Sequence, residues 1–509
     1  MVNATTSART PATRRPLVLA SVMLAMFLTA IEATIVSTAM PGIVSDLGGF
    51  ALFGWVFSGY LIFQAVTVPI YGKLADLFGR RPVMAAGMAL FLAGSALCGL
   101  AWNMYALVAF RMLQGLGAGA VQPIAMTIVG DLYSLEERGK IQGYLSSVWA
   151  VSSVVGPALG GFFVEYAHWS WVFWINLPIG LLALTGVWFF LRERPAVSRP
   201  RIDFAGSALL FFAVGALMLA LSVGRDAGVS SAFVPAALAA VSAVMFAGFI
   251  RRERAAPEPI MPLSLWRDRL MVVANVASFA AGVVLIGVSA YLPTYAQGVL
   301  GRSPTVAGAA LTVMSIGWPL AAYIAGKNMP RLGFWKTATT GGVFLVAGAL
   351  TLWLFRPQWG VVGLGAGSFL IGAGMGFATS TFVVAIQSSV GWNMRGAATA
   401  LHLFMRSIGT TVGAAALGAL MNWRLDARLH ESFGRSAPDL SVFDRLLDPA
   451  ERQTLPAEWL PLLRDALGDG IHFVFAAVLV LAVATALLTV MLPGRKTGLD
   501  RREERVAAE

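Results

Sequence analysis

The stretch that decides the fold is Gly72-Lys73-Leu74-Ala75-Asp76-Leu77-Phe78-Gly79-Arg80-Arg81, which lies between two long apolar segments. One acid and three bases bounded by glycines are an unusual insertion in so hydrophobic a chain. Glycine allows the backbone to turn sharply and to approach a neighbouring helix closely. Asp76 can stabilise a helix N-terminus or accept hydrogen bonds from arginine, and bases hold such a loop on the cytoplasmic side. The stretch therefore predicts a tight loop between two membrane helices, whereas the alternative is a generic basic turn.

The composition also indicates a membrane protein. The chain of 509 residues is 57% hydrophobic and only 12% charged, with a mean hydropathy of +0.73, whereas a soluble domain has roughly 25% charged residues. The net charge of +11 marks orientation in the membrane here, and no nucleic-acid partner is expected. Cys98 is the single cysteine, so an intramolecular disulfide is excluded.

Fourteen helical spans are predicted, since windows of about 20 apolar residues recur along the chain. Of the 37 lysines and arginines, 26 fall in the segments that would lie inside and 9 in outer loops, 6 of these between residues 422 and 470. By the positive-inside rule, both termini are cytoplasmic. The first span is expected to be retained rather than cleaved as a signal peptide. The spans are placed at roughly 17–40, 52–71, 82–101, 104–126, 141–163, 173–191, 204–223, 232–250, 270–293, 305–326, 337–355, 360–385, 397–421 and 471–492.

The loop at 72–81 resembles motif A of the major facilitator superfamily, which lies between spans 2 and 3, and nearly every position of that motif is filled. Residues 326–333 (GKNMPRLG) follow span 10 in the same way and resemble a degenerate copy without the aspartate. The resemblance implies an all-α integral membrane protein with two six-helix bundles and two inserted helices. We expect an N-terminal bundle at 1–195, the inserted pair at 196–262, and a C-terminal bundle at 263–509 with an outer loop at 422–470 that contains short amphipathic helices. Within motif A, a cytoplasmic conformational latch is expected from Gly72, Asp76, Gly79, Arg80 and Arg81.

Glu32 is the only acid placed deep inside a predicted span. A charged side chain there costs roughly 2.5–3.5 kcal/mol on insertion scales, so an intramembrane acid is by default a functional hypothesis. Burial favours the neutral acid, which brings reversible protonation within physiological reach. Its segment, residues 29–41, resembles the span-1 motif of fourteen-span drug:proton antiporters, in which an aspartate usually stands. Glutamate keeps the carboxyl group of that aspartate but has a side chain longer by one methylene group. The alternative is an acid that serves only as a structural ion-pair partner.

Arg111 is the candidate partner of Glu32. With Gln114 and Gly115 it forms a segment in span 4 that resembles motif B of the superfamily. At about 1.5 Å per residue, Glu32 lies about 12 Å and Arg111 about 10 Å from the outer ends of their spans, so they can meet if the spans are neighbours. We hypothesise that Arg111 opposes the effect of burial and makes proton release from Glu32 possible; a purely structural role is the alternative. The glycines of this segment lack the spacing of a nucleotide site and favour close helix packing.

Two further sets of residues complete the candidate site. Gly156, Pro157, Gly160 and Gly161 in span 5 resemble motif C, which is typical of exporters within the superfamily, although a simple helix kink is the alternative. In span 13, His402 and Arg406 share one helix face four residues apart and form a possible second polar site. A buried, hydrogen-bonded histidine is the alternative reading of His402.

The sequence thus predicts a proton-coupled secondary transporter that exports amphipathic drugs or other small organic compounds by alternating access, with Glu32 and Arg111 coupling the proton. The alternatives are a dedicated exporter of one antibiotic, natural product or lipid-like metabolite, and a non-transporting membrane sensor on the same fold. A proton-coupled importer is a third alternative, which the resemblance to motif C disfavours. No enzyme activity, metal site or cofactor is expected, because His and Cys are few and scattered and no phosphate-binding loop for ATP occurs. The expected partners are protons, a small organic substrate and the lipid of a bacterial inner membrane, with the protein acting as a monomer.

Overall fold

The computed structural model describes residues 14–48, 52–193, 203–226, 233–434, 438–440, 442–447 and 451–492. These residues form α-helices joined by short turns, with no β-strand among them. The helices are α1 (Arg15–Leu47), α2 (Phe53–Phe78), α3 (Arg80–Gly99), α4 (Met104–Leu132), α5 (Leu135–Tyr166), α6 (Trp171–Trp174), α7 (Asn176–Phe190), α8 (Phe204–Asp226), α9 (Phe233–Ala255), α10 (Arg269–Thr294), α11 (Pro304–Trp353), α12 (Gly360–Ser389), α13 (Arg395–Phe433), α14 (Val442–Leu447) and α15 (Trp459–Val490).

The predicted fourteen spans are present among the described residues. Thirteen stretches are long and apolar enough to cross a membrane, and one of them, α11, contains two spans that meet at Gly333. There the backbone leaves the helical region, with φ 75° and ψ 170°. Gly79 makes the same kind of turn between α2 and α3, with φ 97° and ψ 155°. Such positive φ angles are available to glycine without strain. The prediction of an all-helical, fourteen-span membrane fold is confirmed.

The described residues of the region predicted as an outer loop, 422–470, are largely helical, and the helices at its two ends are continuous with membrane spans. α13 continues to Phe433 and α15 begins at Trp459. Asp469 joins the two helices, because its carboxylate accepts hydrogen bonds from Arg424 at 2.6 Å and from Arg428 at 2.8 and 2.9 Å. The charges that suggested a solvated loop therefore pair with one another between two helix ends. The predicted boundary at 195/196 lies outside the described residues.

The helices pack mainly within two groups. In the first group, α1 packs on α5 and α7, and α4 packs on α2 and α3; in the second, α10 and α15 pack on α13, and α11 packs on α12. The core of the second group is formed by fully buried side chains such as Val284, Leu345 and Phe475. The inserted helix α8 packs on α9 and also contacts α2 and α13, so it covers one seam between the groups.

The two groups approach each other most closely at one end of the molecule. A Cβ atom added at Gly139 on α5 would lie 2.2 Å from the Cα of Gly326 on α11, and one added at Gly72 on α2 would lie 2.3 Å from the Cβ of Ala400 on α13. Only glycine leaves room for such contacts. We call this end, which carries Gly79, Gly139, Gly333 and the start of α13, the latch end; it is the end that the sequence predicts to be cytoplasmic.

Candidate functional site

The predicted acid and base meet in the core of the first helix group. Arg111 on α4 donates a hydrogen bond from Nη1 to Oε1 of Glu32 on α1, and the two side chains are 1% and 0% exposed. The Nε of Arg111 donates to the backbone carbonyl of Val56 at 3.1 Å. The guanidinium carbon lies 4.2 Å from the ring centroid of Tyr60, which is a cation–π contact. The ion pair is therefore enclosed by α1, α2 and α4.

Three neutral polar side chains complete a buried network around this pair. Asn176 on α7 donates from Nδ2 to Oε2 of Glu32 at 2.6 Å and to Oγ of Ser95 at 2.9 Å. Gln114 accepts from Arg111 at 2.8 Å and donates to Ser95 at 3.2 Å. A buried ion pair is tolerated when further hydrogen bonds satisfy both partners. Here α2, α4 and α7 supply those bonds, and Ser95 of α3 links Asn176 to Gln114.

The glycines near Arg111 explain how the helices come close enough to build this network. A Cβ atom added at Gly115 would lie 2.4 Å from the carbonyl oxygen of Tyr60, and one at Gly117 would lie 2.3 Å from the backbone nitrogen of Phe91. A Cβ atom added at Gly94 on α3 would lie 2.6 Å from the Cα of Gln114. α4 therefore packs backbone to backbone against both α2 and α3, as small residues allow between membrane helices.

A central cavity of about 710 Å³ lies between the two helix groups. Its wall is apolar and aromatic in large part, with Trp149 on α5 and Trp318 on α11, and methionines at positions 26, 126, 218 and 314. α1 contributes Ala30 and Thr34, but Glu32 is fully buried and does not line the cavity. The ion pair is therefore separated from the cavity by the thickness of one helix.

At the latch end, Asp76 of α2 binds the N-terminus of α13. Its two carboxylate oxygens accept the backbone N–H groups of Gly396 at 2.9 Å and Ala397 at 2.7 Å. The first N–H groups of a helix lack partners inside the helix and lie at the positive end of its dipole, so they favour a carboxylate. Asp76 is buried. This aspartate of motif A therefore joins one helix group to the other.

A second connection at the latch end runs through Arg80. Its side chain is 1% exposed and contacts Asp76 at 2.9 Å and Asp131 of α4 at 2.9 Å. It also donates to the carbonyl of Trp392 at 2.8 Å and lies 3.9 Å from the centroid of that tryptophan ring. Asp131 in turn accepts from Arg395 of α13 at 2.5 Å. Two acids and two arginines thus form a compact cluster across both groups.

Arg81 does not take part in these connections between the groups. Its guanidinium carbon lies 4.2 Å from the ring centroid of Trp188, within the first group. Beside it, the carboxylate of Glu193 accepts the backbone N–H groups of Arg80 at 2.8 Å and Arg81 at 3.0 Å, at the start of α3. Burial raises the pKa of the Glu193 carboxyl, and those two donors oppose the shift.

The residues that resemble motif C lie where α5 packs on α1. A Cβ atom added at Gly156 would lie 2.0 Å from Oγ1 of Thr34, and one at Gly160 would lie 2.8 Å from the carbonyl oxygen of Ile35. A Cβ atom added at Gly161 would meet no atom within 4 Å, and Pro157 lies inside α5. Two of the three glycines therefore fit α5 against the helix that carries Glu32.

The structure separates the two residues of the predicted second polar site. His402 is buried, and both of its ring nitrogens lie 3.1 Å from Oγ of Ser278 on α10. This is the geometry of a buried, hydrogen-bonded histidine. Arg406, one turn further along α13, lines the central cavity. The two residues therefore face different surroundings.

Several residues of the site were missed by sequence reasoning. Asn176 gave a usable signal, since it is an amide inside an apolar run. Ser95 gave no signal in the sequence, because a serine in a helix often forms a hydrogen bond to the backbone of that helix. Asp131 and Arg395 follow or precede predicted spans and so resemble solvated loop charges. Their roles depend on which helices are neighbours.

We predict that Asn176→Ala lowers the free energy of unfolding by about 1–3 kcal/mol, because it leaves buried polar groups without partners. Thermal unfolding of the purified protein in detergent measures this loss. Thr185→Ala is the matched control on the same helix, since Thr185 is exposed and donates only to backbone carbonyls of α7. An equal effect of the two substitutions would contradict a structural role for Asn176 in the buried network.

Comparison with known proteins identifies the family of this chain. The sequence model of the Major Facilitator Superfamily matches residues 22–414. The multidrug transporter protein MdtP of Bacillus subtilis (strain 168) is 33% identical over 524 residues, which cover 97% of each chain. Multidrug resistance protein 3 of the same organism is 33% identical over 499 residues, covering 96% of this chain and 97% of the relative.

A solved structure has the same fold. The human organic anion transporter MFSD10 superposes with a TM-score of 0.63 over 94% of this chain and 100% of the human chain, at 16% identity. At that identity the likeness shows the fold alone. The sequence match, the helical architecture and the central cavity between two helix groups all agree. The chain therefore belongs to the Major Facilitator Superfamily and is a multi-pass membrane transporter, related to multidrug efflux proteins, rather than an enzyme.

Proposed function

We propose that the protein is a proton-coupled antiporter that exports amphipathic small organic compounds across the cytoplasmic membrane by alternating access. The observation that carries this proposal is the buried pair of Glu32 and Arg111, a titratable acid one helix away from the central cavity. Ionisable groups inside the membrane are costly and usually functional. The multidrug relatives support small organic compounds as substrates.

The coupling step follows from the position of Glu32 on α1. Protonation of Glu32 removes the charge that Arg111 faces, and an uncompensated buried charge is strongly unfavourable. α1 and α4 are then expected to shift relative to each other. Because α1 also carries Ala30 and Thr34 on the cavity wall, such a shift changes the substrate site. Proton uptake and substrate release are coupled through this shared helix.

A route for the proton is suggested by two buried polar atoms beside the pair. The hydroxyl of Tyr60 and Oδ1 of Asn176 have no hydrogen-bond partner among the described residues. Buried polar groups usually have partners, and an exception calls for a physical reason. We propose that these atoms bind the water that delivers or removes the proton when α1 moves.

Orientation follows from the distribution of charge. Since 26 of the 37 lysines and arginines fall on one side of the predicted layout, we assign the latch end and both termini to the cytoplasm. The conformation described here is then closed toward the cytoplasm. We retain the proposed bundles at 1–195 and 263–509, with 196–262 as the inserted pair.

The latch end supplies the gate of the proposed cycle. Asp76 holds the N-terminus of α13, and Arg80, Asp131 and Arg395 form the charge cluster beside it. Substrate entry from the cytoplasm requires these contacts to separate. When these contacts form again after substrate entry, the cavity would open toward the outside. In that conformation Glu32 takes up the next proton.

The cavity fits one drug-sized ligand at a time. Its volume of about 710 Å³ suits a broad exporter and a dedicated one equally. One chain contains a complete cavity, ion pair and gate, which supports action as a monomer. A sensor on the same fold would bind ligand without moving it.

The test uses everted vesicles acidified inside by respiration, with acridine orange reporting the proton gradient. A panel of amphipathic anions, cations and neutral compounds is added to vesicles with and without the protein. We expect at least one compound to release protons only when the protein is present. If no compound does so while some bind to the purified protein, the sensor replaces the exporter.

A further inference from the structure

The charge on the side chains that line the central cavity is of one sign, positive. Among the described residues that line it, Arg406 of α13 is the only charged side chain, and no Asp or Glu is present. Polar groups on the wall are otherwise glutamines, serines and threonines. A cationic compound entering this space would meet a like charge and no carboxylate. The cavity therefore disfavours cations.

Arg406 also differs from the arginines of the buried ion pair and of the charge cluster at the latch end. Arg80, Arg111 and Arg395 each contact a carboxylate, whereas Arg406 forms no hydrogen bond or ion pair with any described residue. The histidine one turn away, His402, bonds to Ser278. An unpaired charge inside a membrane protein is unfavourable unless a ligand or water compensates it. Its guanidinium is therefore available to a ligand.

A second unpaired donor lies on the wall contributed by the other helix group. Gln142 of α5 lines the cavity and is 3% exposed, and its amide nitrogen has no hydrogen-bond partner among the described residues. Gln142 thus adds an unused but buried N–H group on the wall that the first helix group contributes. The hydroxyls of Thr410 and Thr411 are already bonded to the carbonyl of Ser407.

We infer that the transported compound is an amphipathic organic anion whose carboxylate or sulfonate binds Arg406 while its apolar body packs against Trp149 and Trp318. This inference rests on the proposed function and names the class of its substrate. Guanidinium N–H groups form strong, charge-assisted bonds to carboxylate oxygens. Aromatic and methionine side chains supply an adaptable apolar surface for the body.

Three compounds with one apolar body test the inference: pyrenebutyrate, pyrenebutanol and pyrenebutyl-trimethylammonium. Their binding to the purified wild-type protein in nanodiscs is measured by energy transfer from tryptophan to pyrene, with empty nanodiscs as background. We expect the anion to bind more tightly than the alcohol, and the alcohol more tightly than the cation. No proton gradient is present, so the result does not depend on coupling.

The variants Arg406→Gln and Arg406→Lys locate the charge preference. We expect Arg406→Gln to weaken binding of pyrenebutyrate by about 10- to 100-fold, the range of one lost charged hydrogen bond. Binding of pyrenebutanol should change little, which also shows that the variant is folded. Arg406→Lys should keep part of the preference. Arg356→Gln is the matched control, because Arg356 is exposed and outside the cavity.

Two results would overturn the inference. One is equal or tighter binding of the cation by the wild type; the other is an anion preference that survives in Arg406→Gln. Absence of binding by all three compounds also contradicts it. If cations are nevertheless exported against protons in vesicles, the antiporter stands and only the substrate class is wrong. If the anion binds but no compound moves protons, the substrate class stands and the antiporter is wrong.

Discussion

Replacement of Glu32 by glutamine is expected to reduce substrate-induced proton release to the level of vesicles without the protein. Glutamine keeps the length and volume of the side chain but carries no exchangeable acid. The substitution also leaves Arg111 buried without a counter-charge, which costs about 3–5 kcal/mol of stability. Acridine orange fluorescence in everted vesicles measures the coupling, and thermal unfolding in detergent measures the stability.

Two matched variants separate these effects. In Glu32→Gln/Arg111→Gln both charges are absent, so the stability should recover while coupling stays at background. Glu32→Asp keeps the acid on a shorter arm and should retain part of the coupling. If Glu32→Gln releases protons as the wild type does, Glu32 is a structural ion-pair partner and the proton binds elsewhere.

The second large effect is expected from Asp131→Asn at the latch end. Asp131 lies between Arg80 of the first group and Arg395 of the second, so its loss leaves two arginines facing each other without a shared carboxylate. Truncation of one partner in a buried charge pair costs about 2–5 kcal/mol, which shifts a two-state equilibrium by about 30-fold or more. We expect the latch end to be open in most molecules.

Spin labels measure this opening. Cysteines at Glu136 and Asn393, both exposed and on opposite groups, are introduced into a Cys98→Ser background, and the distance between labels is read by pulsed electron resonance. Asp131→Asn should convert a short distance into a long one. Asp469→Asn is the control, since Asp469 also pairs with two arginines but within the second group. An unchanged distance in Asp131→Asn would show that the latch does not hold the groups together.

Much of the fold was accessible from the sequence, because the constraint of the membrane acts on each span separately. The loop at 72–81 and the apolar windows predicted fourteen spans in the Major Facilitator fold, which the helices and the family match confirm. Depth counting also placed Glu32 and Arg111 at one level, where the structure joins them. Because transporters of this superfamily generally work without a bound cofactor, membership supports the prediction that none is needed.

The remainder depends on helix rotation and neighbourhood, which a single sequence does not encode locally. Depth counting gives the level of a residue in the membrane but not the direction of its side chain. Asn176 and Ser95 are therefore recognised as part of the site only once the packing of the helices is known. His402 and Arg406 share a helix, but the first bonds to Ser278 and the second lines the cavity. The sequence pattern places Asp131 and Asp469 beyond the ends of predicted spans, where solvent would surround them. In the structure both carboxylates instead form ion pairs with arginines.

The most direct measurement of the central claim is uphill transport by the purified protein in proteoliposomes. A compound found in the vesicle panel is placed at equal concentration on both sides, and a pH gradient is then imposed without other energy. Antiport predicts that the compound accumulates on the acidic side of the membrane while protons leave that side, and that accumulation stops when the gradient is collapsed. Accumulation on the alkaline side would establish symport, and equilibration without accumulation would show an uncoupled carrier; either result contradicts proton-driven export.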